Sequence, residues 1–188
     1  MILGQPQQYK TIYADPPWAE YGGGKIKRGA DRHYPLMKTK AIMDLPVNEL
    51  THSDGCHLYM WVTNNFLSDG LKVIDSWGFR YITNIVWVKD RFGLGQYFRG
   101  QHELCLFGVK KGFVLPYKIK ENGKRGQCPT IFYAKRGKHS QKPHSMYNII
   151  ETVSHAPRIE LFARNTKFGW DNWGNEDLNG QQTLKNIT

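Results

Sequence analysis

Four consecutive residues near the start of the chain, Asp15-Pro16-Pro17-Trp18, place a carboxylate, two carbonyls without partner N–H groups and an aromatic plane in one turn. Pro16 holds Asp15 out of the helical region, so the acid sits extended at the end of the strand-like run "KTIYAD". The prolines supply carbonyl oxygens but no donors. A surface that mainly accepts hydrogen bonds suits a partner carrying an NH₂ group, and Trp18 offers a flat face on which a heterocycle can stack. An aminopurine or aminopyrimidine base meets both demands. Its exocyclic amine is a poor nucleophile because its lone pair is delocalised into the ring. Two acceptors holding its two protons, Asp15 and the Pro16 carbonyl, favour the pyramidal form and free that lone pair for attack. No metal is needed. Asp-Pro-Pro alone also reads as a proline turn with a capping acid; Trp18 and the preceding strand favour a site.

The elements that must position this turn follow from periodicity. Short apolar, β-branched and aromatic runs at 11–14, 57–63, 81–89, 103–109, 130–134 and 158–163 have strand length, and several are apolar throughout, as in strands buried on both faces. Helical patterns lie between some of them. Residues 65–78 set Leu67, Leu71 and Ile74 on one face, with Asn64 or Asn65 as cap and Gly78 as stop. Residues 142–154 carry Pro143 in the first turn and Met146, Ile150 and Val153 at helical spacing. Alternating strands and helices imply an α/β domain with a largely parallel sheet and flanking helices. The acid then sits at the carboxyl edge, where such sheets bind ligands.

The 188 residues fit a single domain, 1–188, with a polar tail from about 176 to 188. No apolar run approaches the ~18 residues of a membrane span, and the opening "MILGQPQQYK" lacks the pattern of a signal peptide. Cys56, Cys105 and Cys128 are far apart and form no CxxC pair, which fits free thiols in a reducing cytoplasm. The seven histidines show no metal-binding spacing, and "GGGK" lacks the remainder of a phosphate loop.

The net charge of +10 is concentrated. Residues 109–142 hold ten Lys/Arg against Glu121 alone, and residues 21–40 hold six against Asp31. Both stretches are non-periodic and glycine-bearing, so they read as long loops. Such segments are the footprint of a polyanion partner. Charge alone leaves open a pair of solvated lysine-rich loops.

Asp-Pro-Pro-Trp, followed in order by "GCHLYMWVTNN", "NIVWVK", "GQHELCLFGVKKG", "HSQKPHSMYNIIETVSHAPRIELFAR" and "GWDNWGNEDLNG", resembles the successive blocks of the methyltransferase-A family of amino-directed nucleic-acid methyltransferases. The likeness runs from about residue 11 to residue 180. It implies a Rossmann-like methyltransferase fold in circularly permuted order, catalytic strand first and cofactor strand late. It also implies S-adenosyl-L-methionine as cofactor and adenine N6 as target. By this resemblance Asp15, Pro16, Pro17 and Trp18 hold the adenine, and Asp15 also lies near the methyl sulfonium. Lys142 meets the cofactor's carboxylate, while Arg164 and Asn175 hold the ribose and its neighbourhood. Glu176 is carried as a further cofactor contact, although it stands where the eukaryotic catalytic subunit has Gln, which leaves the ribose contact open there. A lysine at a helix start suits an anion, and Arg164 ends a strand at the ligand-bearing edge; a solvated Lys142 and a merely turn-forming Asn175 are the plain alternatives. Glu160 alternates with Ile159 and Leu161, so it can simply face outward. Tyr34 joins the base pocket, while Trp61, Trp87 and Glu103 read as packing or supporting residues. Lys25, Lys27, Arg28, Lys124 and Arg125 are the candidate phosphate contacts around a flipped-out base.

Longer relatives carry, before this turn, a strand whose acid contacts the cofactor's adenine; only fourteen residues precede Asp15 here. The compact form resembles the bacterial and phage members, which makes DNA the expected substrate and RNA the alternative. A homodimer or heterodimer is compatible with the family. A non-catalytic nucleic-acid-binding subunit and a small-molecule methyltransferase are the competing readings; the intact Asp-Pro-Pro-Trp weighs against the first and the basic loops against the second.

Overall fold

The computed structural model describes residues 7–19, 36–93, 97–137 and 141–174. Strands β1 (Thr11–Ala14), β2 (His57–Val62), β3 (Phe79–Lys89), β4 (His102–Lys110), β5 (Ile131–Ala134), β6 (Arg158–Leu161) and β7 (Asp171–Trp173) form one sheet in the order β5-β3-β4-β2-β1-β6-β7. Among them β4 alone runs against the others, pairing antiparallel with β2 and β3. The first strand thus lies near the centre with the late strand β6 beside it, the permuted Rossmann-like order that the resemblance implied.

Side-chain alternation explains the layers. Ile12, Ala14, Leu58, Met60, Leu104, Leu106, Ile159 and Leu161 face one core, shared with α1 (Thr39–Met43) and α2 (Leu67–Ser76) through Ile42, Val73, Ile74 and Trp77. Tyr13, Tyr59, Trp61, Ile85, Trp87 and Cys105 face the other, covered by Met146 and Ile150 of α3 (Ser145–Val153) and by Trp170. β1 and β2 are buried at every position, as their apolar runs after Thr11 and His57 require.

Two local readings are corrected. The face of α2 that packs inward is Gly70, Val73 and Ile74, whereas Leu67 and Leu71 lie on its rim, partly exposed. Gly70 lets the helix press onto the sheet: a Cβ there would stand 3.1 Å from Leu106 and 3.2 Å from Val62. The predicted asparagine cap is absent as well. Asn64–Phe66 form a 3₁₀ turn, and no side chain caps α2. The short α1 and β7 fall in stretches where the sequence shows no periodicity.

Leu106 is fully buried between α2 and the sheet. Leu106→Ala is expected to lower stability by about 2–5 kcal/mol, combining lost burial with a residual cavity. Urea unfolding checks this, as a fall in midpoint at unchanged slope.

Candidate active site

Asp15 follows directly on β1, at the carboxyl edge of the sheet, with its N–H directed at the Leu161 carbonyl, 3.4 Å away. The prolines after it are buried. The Pro17 carbonyl accepts from the Met37 N–H at 2.8 Å, and the Pro16 carbonyl from the Trp18 N–H at 2.9 Å. A carbonyl oxygen has two lone pairs, so the Pro16 oxygen retains acceptor capacity.

Trp18 is packed down more than the sequence suggests. Its side chain belongs to a residue only 7% exposed, its ring stacks on Phe66 at 5.5 Å, and its Nε1–H donates to the Trp61 carbonyl at 3.1 Å. The stacking face expected of it is covered on one side, and the residue pins the turn to the core.

Around Asp15 the structure gathers charges from five segments. The Lys142 ammonium lies 2.7 Å from Asp15 Oδ1, with the two side chains only 16% and 15% exposed. Arg164 Nη2 reaches Asp15 Oδ2 at 3.1 Å. Lys142 Nζ also approaches Glu103 Oε2 at 3.5 Å, and Glu103 Oε1 is paired with Lys89. The alternating row Lys89–Glu103–Lys142–Asp15–Arg164 follows the strand order β3, β4, β2, β1, β6. At the β2 position the strand offers no charge of its own. Lys142 spans it instead, its Nζ 5.5 Å from the centre of the Trp61 ring.

Burial works to lower the Lys142 pKa, but attraction to Asp15 and then Glu103 outweighs it, and the net shift is upward. Burial likewise works against the Glu103 carboxylate, and Lys142 with Lys89 overcomes it, so its pKa falls. Both groups are therefore charged at neutral pH.

The floor beneath is aromatic. Trp61 donates to the Tyr13 hydroxyl, Trp61 and Trp87 meet edge to face, and Tyr13 packs edge-on against Tyr147 and Trp170. Glu160, which alternation could have turned outward, lies beside this floor and accepts a 2.6 Å hydrogen bond from the Tyr147 hydroxyl. Burial raises its pKa to about 7, with Tyr147 opposing and Asp15 adding to the rise.

After β6 the chain turns through Phe162, whose φ of 62° lies in the left-handed region that a bulky residue rarely adopts. Such strain marks a conformation that its surroundings enforce. The Phe162 ring packs edge-on to Trp173 and the Ala163 N–H bonds to the Trp173 carbonyl, which turns Arg164 toward Asp15.

The structure thus brings together Asp15, Pro16, Lys142 and Arg164. It does not bring Lys124 and Arg125 to them. Their loop is fastened at the opposite edge, where the His57 ring bonds to the Leu115 carbonyl and the Lys118 N–H to the Val153 carbonyl. Arg125 there lies over Tyr117. The basic run 109–142 is therefore split, and its later part, Lys135 and Arg136, follows β5 at the Asp15 edge. Tyr34, Lys25, Lys27, Arg28, Asn175 and Glu176 lie outside the described residues. Glu103, read from the sequence as a packing or supporting residue, stands beside Lys142 in this row, whereas Lys89 was missed. The signal available was their hairpin register, in which Trp87 pairs with Glu103 and sets Lys89 diagonally across from it.

A family model described as MT-A70 matches residues 9–176. The chain is 35% identical to the type II methyltransferase M.MunI of a Mycoplasma species, over 90% of this chain and 78% of that protein. It is 30% identical to a probable N(6)-adenosine-methyltransferase MT-A70-like protein of Oryza sativa subsp. japonica, over 95% of this chain and 24% of that protein. It is 28% identical to the N(6)-adenosine-methyltransferase catalytic subunit METTL3 of Homo sapiens, over 93% of this chain and 29% of that protein. The chain spans most of the Mycoplasma relative but less than a third of the rice and human ones.

Glu160 gives a pH test. Its pKa is raised from 4.5 to about 7 on folding, so the folded chain binds that proton more tightly than the unfolded chain. Its contribution is fully present below pH 4.5 and is lost as pH rises to about 7. Glu160→Gln is expected to remove this decline, which amounts to about 3 kcal/mol at most. Urea unfolding at pH 5 and pH 7.5, compared between the two proteins, measures it.

Proposed function

This chain belongs to the MT-A70 family of N6-adenine methyltransferases, and on that premise we propose that it transfers a methyl group from S-adenosyl-L-methionine to the N6 of adenine in DNA. The observation that carries this reading is the Asp15 carboxylate and Pro16 carbonyl at the carboxyl edge of β1, flanked by Lys142 and Arg164. DNA is favoured over RNA because identity to the bacterial type II methyltransferase, 35%, exceeds the 28–30% shared with the rice and human N(6)-adenosine-methyltransferases.

Members of this family depend on S-adenosylmethionine, which when bound supplies an electrophilic methyl group on a sulfonium. The residues present suit such a molecule. Its amino-acid end bears both charges, and Lys142, Asp15 and Glu160 offer a cation and two acids at one edge. Lys142 would hold the carboxylate, Arg164 the ribose region, and Asn175 with Glu176 the same neighbourhood.

The chain's own chemistry is that of hydrogen-bond acceptance. Asp15 and the Pro16 carbonyl each take one N–H of the adenine amine, which withdraws its lone pair from the ring and aims it outward. As the amine attacks, positive charge develops on N6, the fixed Asp15 carboxylate stabilises it in a site partly shielded from water, and that charge is discharged when one of the two N6 protons leaves the methylated amine. Lys142 and Arg164 hold that carboxylate in place, so little reorganisation is needed at the moment of reaction. In duplex DNA the adenine must first leave the stack.

Asp15→Ala is expected to reduce methyl incorporation by roughly a hundredfold to a thousandfold or more while leaving oligonucleotide binding largely intact. Labelled S-adenosylmethionine offered with duplex DNA, single-stranded DNA and RNA measures this and ranks the substrates. Equal incorporation by the variant would exclude the assignment of Asp15. Preferential labelling of RNA would move the substrate to the other nucleic acid.

A further inference from the structure

The hairpin joining β3 to β4 ends in a tip that the site does not use. It carries three of the most exposed large apolar side chains among the described residues: Tyr97 is 93% exposed, Phe98 92% and Phe92 59%. Isolated surface aromatics are unremarkable, but three within one tip, beside arginines, indicate contact with something outside the chain. Arg91 extends into solvent, with its side chain 78% exposed. Arg99 lies over the Phe92 ring at 5.8 Å and donates to the Gly93 carbonyl at 3.0 Å.

The root of the tip is firmly built. Lys89 N–H bonds to the Gln101 carbonyl, the Gln101 amide returns to the Lys89 carbonyl, and Gly93 N–H meets the Gly100 carbonyl at 2.6 Å. A Cβ on Gly93 would stand 2.9 Å from that same oxygen, so glycine is what allows the two limbs to close. Asp90, the acid of this stretch, is turned back to accept from the Arg136 N–H and to pair with Arg91.

Position decides what the tip faces. Lys89 and Glu103, which begin and end it, are members of the charged row that reaches Asp15 through Lys142. Phe98 is five residues from Glu103, so the Cα atoms of the two lie no more than about 18 Å apart. Successive nucleotides of one duplex strand are about 3.4 Å apart along the helix axis. A nucleic acid whose adenine sits at Asp15 therefore has its neighbouring bases within reach of Tyr97 and Phe98.

We propose that the β3–β4 tip is a nucleic-acid contact, with Tyr97 and Phe98 stacking on bases near the target adenine and Arg91 meeting the phosphate backbone. This rests on the reading that a polynucleotide is the substrate. Rings stack on any base and arginine meets any phosphate, so the contact adds affinity and register without requiring a particular sequence.

The test uses the full chain with Tyr97→Ser and Phe98→Ser combined, and Arg91→Ala separately. Both aromatic positions are almost wholly exposed, so thermal unfolding and calorimetric binding of S-adenosylhomocysteine should match the unaltered protein. Binding of a fluorescent adenine-containing oligonucleotide, followed by anisotropy across a salt series, is expected to weaken roughly tenfold or more in the double variant at unchanged salt slope. Arg91→Ala should instead reduce that slope by about one. In turnover, the double variant should raise KM for the oligonucleotide with little change in kcat. Unaltered oligonucleotide affinity in the double variant overturns the inference. So does a weakening that accompanies loss of a dimer in sedimentation, which would assign the tip to a second copy of this chain. If the unaltered protein methylates no polynucleotide at all, the functional reading fails and takes the inference with it; methylation that persists with a normal KM in the double variant sinks only the tip.

Discussion

An ammonium largely withdrawn from water cannot stand alone, and the Lys142 side chain is the clearest case here. Its charge is tolerable only because Asp15 and Glu103 approach it from either side. Those two acids sit just after β1 and on β4, strands that are not neighbours. The lysine therefore ties together the end of the first strand, a strand of the hairpin and the entry to α3. Taking either acid away would leave a poorly solvated cation facing a single partner, which is a costlier state than an exposed broken ion pair. Electrostatics and topology constrain each other: the charged row exists because the sheet runs in its permuted order, and the loop before α3 is held down because the row needs a cation over β2.

The aromatic floor gives this arrangement its strength. Trp61, Trp87 and Tyr13 keep water from one side of the row, so each charge interacts in a medium of lower dielectric than bulk water. Tyr13 and Tyr147 extend the floor to Glu160, and burial there favours the protonated acid. Two carboxyls a short way apart consequently differ in kind. Asp15 is clasped by two cations, whereas Glu160 is held by a phenol among rings.

Much of this was legible in the sequence where the governing interactions are local. Apolar runs announced β1 to β6, and Pro16 fixed the extended conformation of Asp15 at a strand end. What stayed hidden depends on partners far along the chain. Trp18 looked like an open face because nothing near it reveals Phe66 beneath. Glu160 looked outward because alternation within "RIEL" does not disclose that Tyr147 covers it from α3. Hydrophobicity favoured Leu67 and Leu71 as the inner face of α2, but close approach to Leu106 and Val62 selected Gly70. The basic run 109–142 read as one patch, and only the anchoring of Leu115 and Lys118 at the far edge divides it in two.

The permuted strand order also bears on how the chain comes into being. β1 leaves the ribosome before the other described strands, yet one of its two neighbours is β6, and the Arg164 that grips Asp15 follows 149 residues later. At synthesis rates of roughly 5–20 residues per second, that interval is on the order of ten seconds. Throughout it, the backbone N–H and C=O groups on the edge of β1 that pairs with β6 have no permanent partner. Pairings of such long sequence separation also form slowly. The nascent chain therefore passes through a stage in which β1 is paired along one edge at most, and the Asp15 edge is completed only after β6 and Arg164 have emerged.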